Sequence, residues 1–295
     1  MSTLSGALVS VPGRSLRAVL VYSSAWVAAG IASLVILVQH TMGLDYDRQP
    51  VLLVFFFALA FYNLDRIADS YLQPSPDSQA QAFFRHGWGW LILVAATVAV
   101  AVLLMQSNRT VLLLSLVGIV PLAYGLPVIP WRRSKRLVWR RLKDIPGSKA
   151  WVVSGMAAYA LVTLPLAYAG APIGPSAIPT FLFLFLFLAV NVHLFDIRDI
   201  ESDRRAGVVT LPVLIGVRGT RRACLAMVWL AWLLVGSAWI ATIAAPPPEV
   251  VLPWLIATGL VLSLARPDTP RGWYDLRVDG SLFLPALMIG IAQVV

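Results

Sequence analysis

Cysteine is almost absent from this chain. Cys224 stands alone in an apolar segment, which excludes a disulfide framework and a thiolate-built metal site. Charge is scarce too. Asp, Glu, Lys and Arg make up 13% of 295 residues, against roughly 25% in soluble domains, while 59% are hydrophobic. A mean hydropathy of +0.80 leaves too little polar surface for a soluble globular fold. The strict alternation of a membrane barrel is missing as well, so helices are the only expected spanning form. The first 19 residues, "MSTLSGALVSVPGRSLRAV", have no separate hydrophobic core and cleavage site. A signal peptide is therefore not expected, and a short transit peptide is the lesser alternative because acids are absent there.

What is present is a series of apolar windows near 17–38, 49–64, 88–105, 110–129, 149–170, 176–195, 223–244, 250–265 and 281–295. These predict an all-α polytopic membrane protein of about nine transmembrane helices, forming one domain over residues 1–295. The Pro- and Gly-rich stretches "PSPDSQAQ", "AGAPIGPSAIP" and "AAPPPE" read as connections. The formal charge of +9 has a simple reading, because Lys and Arg gather in cytoplasmic loops. With the N-terminus inside, the inside loops are 1–16, 65–87, 130–148, 196–222 and 266–280. Of 23 basic residues, only Arg48 and Arg109 then fall outside. No nucleic-acid partner is implied. The expected location is a multi-pass position in a bacterial inner membrane, in contact with its lipid.

Two acidic clusters sit at inside helix ends. "FDIRDIESDRR" places Asp196, Asp199 and Asp203 at i, i+3 and i+7, on one face of a helix, with Glu201 turned away. "YNLDRIADSY" places Asp65 and Asp69 at i, i+4 around Arg66. Like charges at these spacings repel by a few tenths of a kcal/mol per pair, so a cation should compensate. One reading is pairing with Arg66, Arg198, Arg204 and Arg205, common at solvated helix ends. The other is a hard divalent ion such as Mg2+. Two clusters at corresponding helix ends favour the ion, since ionisable residues at the membrane edge usually mark a site. His193, one turn before Asp196, is read as a hydrogen-bonding helix residue rather than a catalytic one. Asp279, before "SLFLPAL", suits a helix N-cap.

The run from Asp196 to Gly216, D-x-x-D-x-E-x-D-R-x-x-G-x-x-T-L-P-x-x-x-G, resembles the second Asp-rich motif of the UbiA superfamily of intramembrane prenyltransferases. "RRLKDIPGSKAWVVSGMAAYALVTLP" and "IVPLAYGLPVIPWRRSKR" resemble neighbouring family segments. The first motif departs from N-D-x-x-D-x-x-x-D: Tyr62 stands for its first Asp, and the Asn occurs at Asn63. The resemblance implies a helical bundle around a central cavity open to the cytoplasmic side. It further implies Mg2+-dependent transfer of a prenyl group from a polyprenyl diphosphate to a hydrophobic or aromatic acceptor. Asp65, Asp69, Asp196, Asp199 and Asp203 would be the catalytic, metal-holding residues. Asn63, Arg66, Tyr124 and Arg204, with Arg141 and Lys149 from the basic loop, are the substrate-binding candidates. Phe61, Tyr62, Tyr124 and Phe195 could face a carbocation. A non-catalytic scaffold or lipid-binding relative with an altered first motif is the alternative.

Overall fold

Helix follows helix along most of the chain in the computed structural model, which describes residues 20–72, 83, 87–118, 129–133, 136–140, 145 and 147–294. The order is α1 (Ala25–Thr41), α2 (Arg48–Leu72), α3 (Trp88–Met105) and α4 (Arg109–Ser115), the last tightening into a 3-10 turn over Leu116–Gly118. Strands β1 (Ile129–Arg133) and β2 (Arg136–Arg140) come next, then α5 (Ser148–Tyr168), α6 (Ala177–Arg198) and α7 (Ile200–Ala206). The chain ends with α8 (Leu211–Ile240), α9 (Pro248–Leu264), α10 (Arg271–Arg277), a 3-10 turn (Asp279–Phe283) and α11 (Leu284–Ala292).

Five of these, α2, α3, α5, α6 and α8, are long and apolar enough to cross a membrane. The other four apolar windows hold shorter helices: 17 residues in α1, seven in α4, 17 in α9 and nine in α11. One expectation needs correction. The span drawn at 223–244 belongs to a helix that already starts at Leu211, inside the loop assigned to 196–222. Thr210 caps it in extended conformation and Pro212 occupies the first turn, a favoured helix start. Arg218, Arg221 and Arg222 dilute the hydropathy there and hide it, and Gly216 (φ 72, ψ 168) kinks the helix. Within the basic loop the chain forms two short strands. Its Ile, Trp and Val residues support an antiparallel hairpin, in register Ile129↔Arg140 and Trp131↔Val138.

Apolar surface does not drive helices together in lipid. Packing and interhelical hydrogen bonds do that work. The aromatic rings of Phe183 and Phe187 on α6 meet Trp254 of α9 at 5.2 and 5.0 Å. Polar ties recur at the contacts. Asn108 Nδ2 donates to the Ala167 carbonyl (2.8 Å), Ser33 Oγ to Leu282 (3.2 Å) and Asn191 Nδ2 to Val278 (3.0 Å). Gly30 of α1 allows the 3-10 turn to approach closely, since a Cβ there would lie 2.9 Å from Leu282 Cβ. The central element is α6, which packs against both α5 and α8 and buries 67% of its apolar window. At the periphery, α3 buries 11% of its own.

Candidate active site

The second acidic motif sits where α6 ends. Arg198 is its last residue, and Asp199, at φ −92 and ψ 7, forms the joint between α6 and α7. The single continuous helix expected from the i, i+3, i+7 spacing is therefore interrupted at its middle aspartate. Asp196 (2% exposed) and Asp203 (9%) turn inward. The Asp199 side chain is 22% exposed, at the rim. Each carboxylate meets a protein partner. Asp196 Oδ2 lies 3.4 Å from Nδ1 of the buried His193. Asp203 Oδ2 accepts from Thr210 Oγ1 at 3.1 Å, which couples the motif to the start of α8. Asp199 takes two bonds from Arg198, Nε to Oδ1 at 2.8 Å and Nη2 to Oδ2 at 2.7 Å.

Between α7 and α8 the turn is closed by Gly207 in the left-handed region (φ 68), with the Val208 N–H donating to the Asp203 carbonyl at 2.9 Å. The Gly147 N–H donates to the Val209 carbonyl at 2.7 Å, so the start of α5 is held against this turn. His193 differs from its sequence reading: neither ring nitrogen makes a hydrogen bond, the 3.4 Å approach of Nδ1 to Asp196 being a contact of charge rather than of hydrogen-bond geometry, and Trp151 of α5 meets the ring edge-on at 5.5 Å.

The first motif lies on the last turns of α2. Asn63 is fully buried, and its Nδ2 donates to the carbonyls of Ser23 and Leu59, both at 2.8 Å. It joins α2 to the segment leading into α1. Arg66 Nη1 donates to the Val21 carbonyl at 3.0 Å, and Asp65 is exposed. Arg204 pairs with Glu201 at 3.0 Å on the exposed outer side of α7. Tyr124 and Arg141 lie outside the described residues, as do the side chains of Asp69 and Lys149. Among the described residues, no three His, Cys, Asp or Glu side chains stand close enough together to enclose a metal ion.

A third acidic pair, which the sequence assigned no firm role, links the two motifs. The chain from α10 into the 3-10 turn is pinned by Asn191 to α6 and by Ser33 to α1. Asp275 Oδ1 then lies 3.3 Å from Arg198 Nη1. Asp279, 8% exposed, stands in the fields of Asp275, Arg66 and Arg198. Burial first, and then Asp275, pushes its carboxyl up to about 8, against the pull of the two arginines. It is the first residue of the 3-10 turn and makes no side-chain cap bond, so the N-cap reading does not hold. Arg198 lies over the Phe195 ring at 4.8 Å and near Tyr274 at 5.9 Å. Burial pushes the Tyr274 phenol up to about 12, and its hydroxyl donates to the Arg266 carbonyl. The signal for this pair was its position on the inside loop 266–280; what sequence does not show is which helices flank it.

Beside these charges is an apolar cavity of about 1090 Å³, including its open mouth, walled by α1 to α5. Leu53, Phe57 and Phe61 of α2, Leu104 of α3 and Met156 of α5 are among its lining. One end is Tyr62, within the electrostatic reach of Asp65, Arg66 and Asp279. An oily chamber thus ends against a cluster of arginines and carboxylates.

Residues 85–277 match the model of the UbiA prenyltransferase family. The chain belongs to that family. The match starts beyond Asp69, so the altered first motif lies outside it. Solved UbiA structures share the fold. The UbiA homologue from Aeropyrum pernix K1 superposes with a TM-score of 0.65 at 18% identity, covering 92% of this chain and 98% of that one. The Archaeoglobus fulgidus homologue bound to DMAPP and Mg2+ gives 0.61 at 16% identity, covering 95% and 98%. A structure of digeranylgeranylglyceryl phosphate synthase gives 0.55 at 15% identity, covering 93% and 96%. No curated protein matches the chain by sequence.

Proposed function

We propose that this UbiA-family protein transfers a prenyl group from a polyprenyl diphosphate to a hydrophobic or aromatic acceptor within the membrane, with Mg2+ as cofactor. The observation that carries this reading is the apolar cavity ending at Tyr62, beside Asp65 and Arg66 of α2 and Asp279 of the 3-10 turn. A prenyl diphosphate has that polarity: a hydrocarbon tail for the cavity and an anionic head for the cluster. The Archaeoglobus relative solved with DMAPP and Mg2+ supports it.

The donor set suits magnesium. It is all oxygen, and Mg2+ is typically held by one or two carboxylates plus substrate phosphates, so a closed protein cage is not required. Asp65 and Asp69 of α2, with Asp196, Asp199 and Asp203 around the α6–α7 joint, are the residues that would hold it. Bound there, the ion offsets the charge of the leaving diphosphate. In the reaction the allylic C–O bond breaks and its electron pair leaves with the diphosphate. An acceptor carbon or oxygen then bonds the allylic carbon and gives up a proton. The walls around Phe61 and Tyr62 exclude water, and an aromatic face near a cation contributes about 0.5–2 kcal/mol. Arg66 would receive the diphosphate, with Arg141 and Lys149 as further donors from the basic segment. The proposed setting is nine spans with the N-terminus and both Asp motifs on the cytoplasmic face of a bacterial inner membrane.

The test is binding and turnover of a prenyl diphosphate by the purified protein. Asp65→Ala and Asp199→Ala should each lose Mg2+-dependent donor binding by about 10–100-fold, the scale of one charge-assisted contact. A non-catalytic scaffold is the second reading, favoured by Tyr62 in place of an Asp and by the pairing of Asp199 with Arg198. Equal donor binding in EDTA and in both variants would select it.

A further inference from the structure

The guanidinium of Arg198 is engaged along two edges. Its Nε and Nη2 hold both oxygens of Asp199, and Nη1 faces Asp275 at 3.3 Å. Each Asp199 oxygen keeps a second lone pair, but a divalent cation drawn to that carboxylate would stand close to the guanidinium, repel it and compete with it for the negative charge. When the pair loosens, the arginine would not drift away. Asp275 still holds it, on a segment pinned to α6 through Asn191 and to its own loop through Tyr274. The Phe195 ring supports its flat face at 4.8 Å, and 17% of the side chain remains open to solvent. An arginine fork that fits a carboxylate fits a phosphate equally well.

From this geometry we propose that Arg198 is a diphosphate-binding residue of the site, exchanging Asp199 for phosphate oxygens while Asp275 keeps it in place. The proposal rests on the prenyl diphosphate reading above and names a group that the acidic motif alone does not. With Arg66 in the same cluster, it gives the anionic head one arginine from each Asp-bearing helix. No covalent change is involved, only an exchange of hydrogen-bond partners. The competing account is a staple, in which Arg198 merely ties α6 to α10.

Calorimetric titration of inorganic pyrophosphate, with Mg2+, into the full-length protein in detergent separates the two. Arg198→Gln should weaken pyrophosphate binding by about 10–100-fold, and Arg198→Lys, which keeps the charge without the fork, by less. Mn2+ alone should bind Arg198→Gln as tightly as wild type or more tightly, because Asp199 is released. Asp275→Asn should weaken pyrophosphate moderately. Wild-type pyrophosphate affinity in Arg198→Gln overturns the proposal. So does a lower melting temperature in Arg198→Gln and Arg198→Lys with pyrophosphate affinity unchanged in Arg198→Lys, the signature of a staple. If wild type itself binds no pyrophosphate with Mg2+, the prenyl diphosphate reading falls and this inference with it.

Discussion

Asp279 shows how burial gives one carboxyl a role that its neighbours in sequence do not share. Its charge is unfavourable because the 3-10 turn is packed against α1 and Asp279 is buried there, and Asp275 adds repulsion. The folded carboxyl titrates at about 8, whereas an unfolded Asp titrates near 3.9. Between those values the native state retains a proton that the unfolded chain has lost, so stability must fall as pH rises from about 4 through about 8. Asp279→Asn removes that dependence. Melting temperatures of the detergent-solubilised variant should decline less over this range than those of wild type. Parallel curves would mean that Asp279 is ionised when folded. Asn63 is legible in the opposite sense: its place in a motif suggested substrate, while its two bonds to backbone carbonyls make it a joint between helices.

The elements carry the site through their ends and contacts. The i, i+3, i+7 spacing in the second motif set three aspartates on one helix face, whereas in the fold Asp196 and Asp203 are buried and Asp199 stands at the joint. The break at Asp199 was not legible, because it follows from how α7 turns toward Thr210 and α8. The approach of the 3-10 turn to α1 is equally a matter of assembly. Gly30→Ala would push a methyl group to 2.9 Å from Leu282 Cβ, an overpacking that costs about 1–3 kcal/mol. Gly236→Ala on α8 meets nothing within 4 Å and should be neutral or slightly stabilising. Thermal unfolding of the two variants measures this, and equal melting temperatures would contradict the close packing. Since that turn carries Asp279, Gly30→Ala should also shift the pH dependence described above.

At the scale of the whole molecule, orientation is the open quantity with the sharpest test. Buried Cys224 contributes little background to labelling, so single cysteines can be introduced. Tyr46, 68% exposed between α1 and α2, and Arg204, at the rim of the second motif, should lie on opposite faces of the membrane. An impermeant maleimide should reach Arg204→Cys only from the cytoplasmic side and Tyr46→Cys only from the other. Labelling of both from one side would refute the arrangement drawn from the basic loops.

By itself the sequence determined the membrane class, carried the resemblance to the family in its second motif, and held the charge asymmetry from which the orientation is proposed. Composition supplies the first and the last, and a run of specific residues the second. It could not rank the helices. The more hydropathic α3 (mean 2.4) is the more lipid-facing, while α6 (2.1) is central. To a side chain, lipid and protein interior are similarly apolar, so hydropathy does not tell them apart. Only the tertiary structure brought Asp275 and Asp279, from near the C-terminus, to Arg198 and Arg66, and set the oily cavity beside them. Those contacts depend on which helices become neighbours, a long-range outcome that no local pattern encodes.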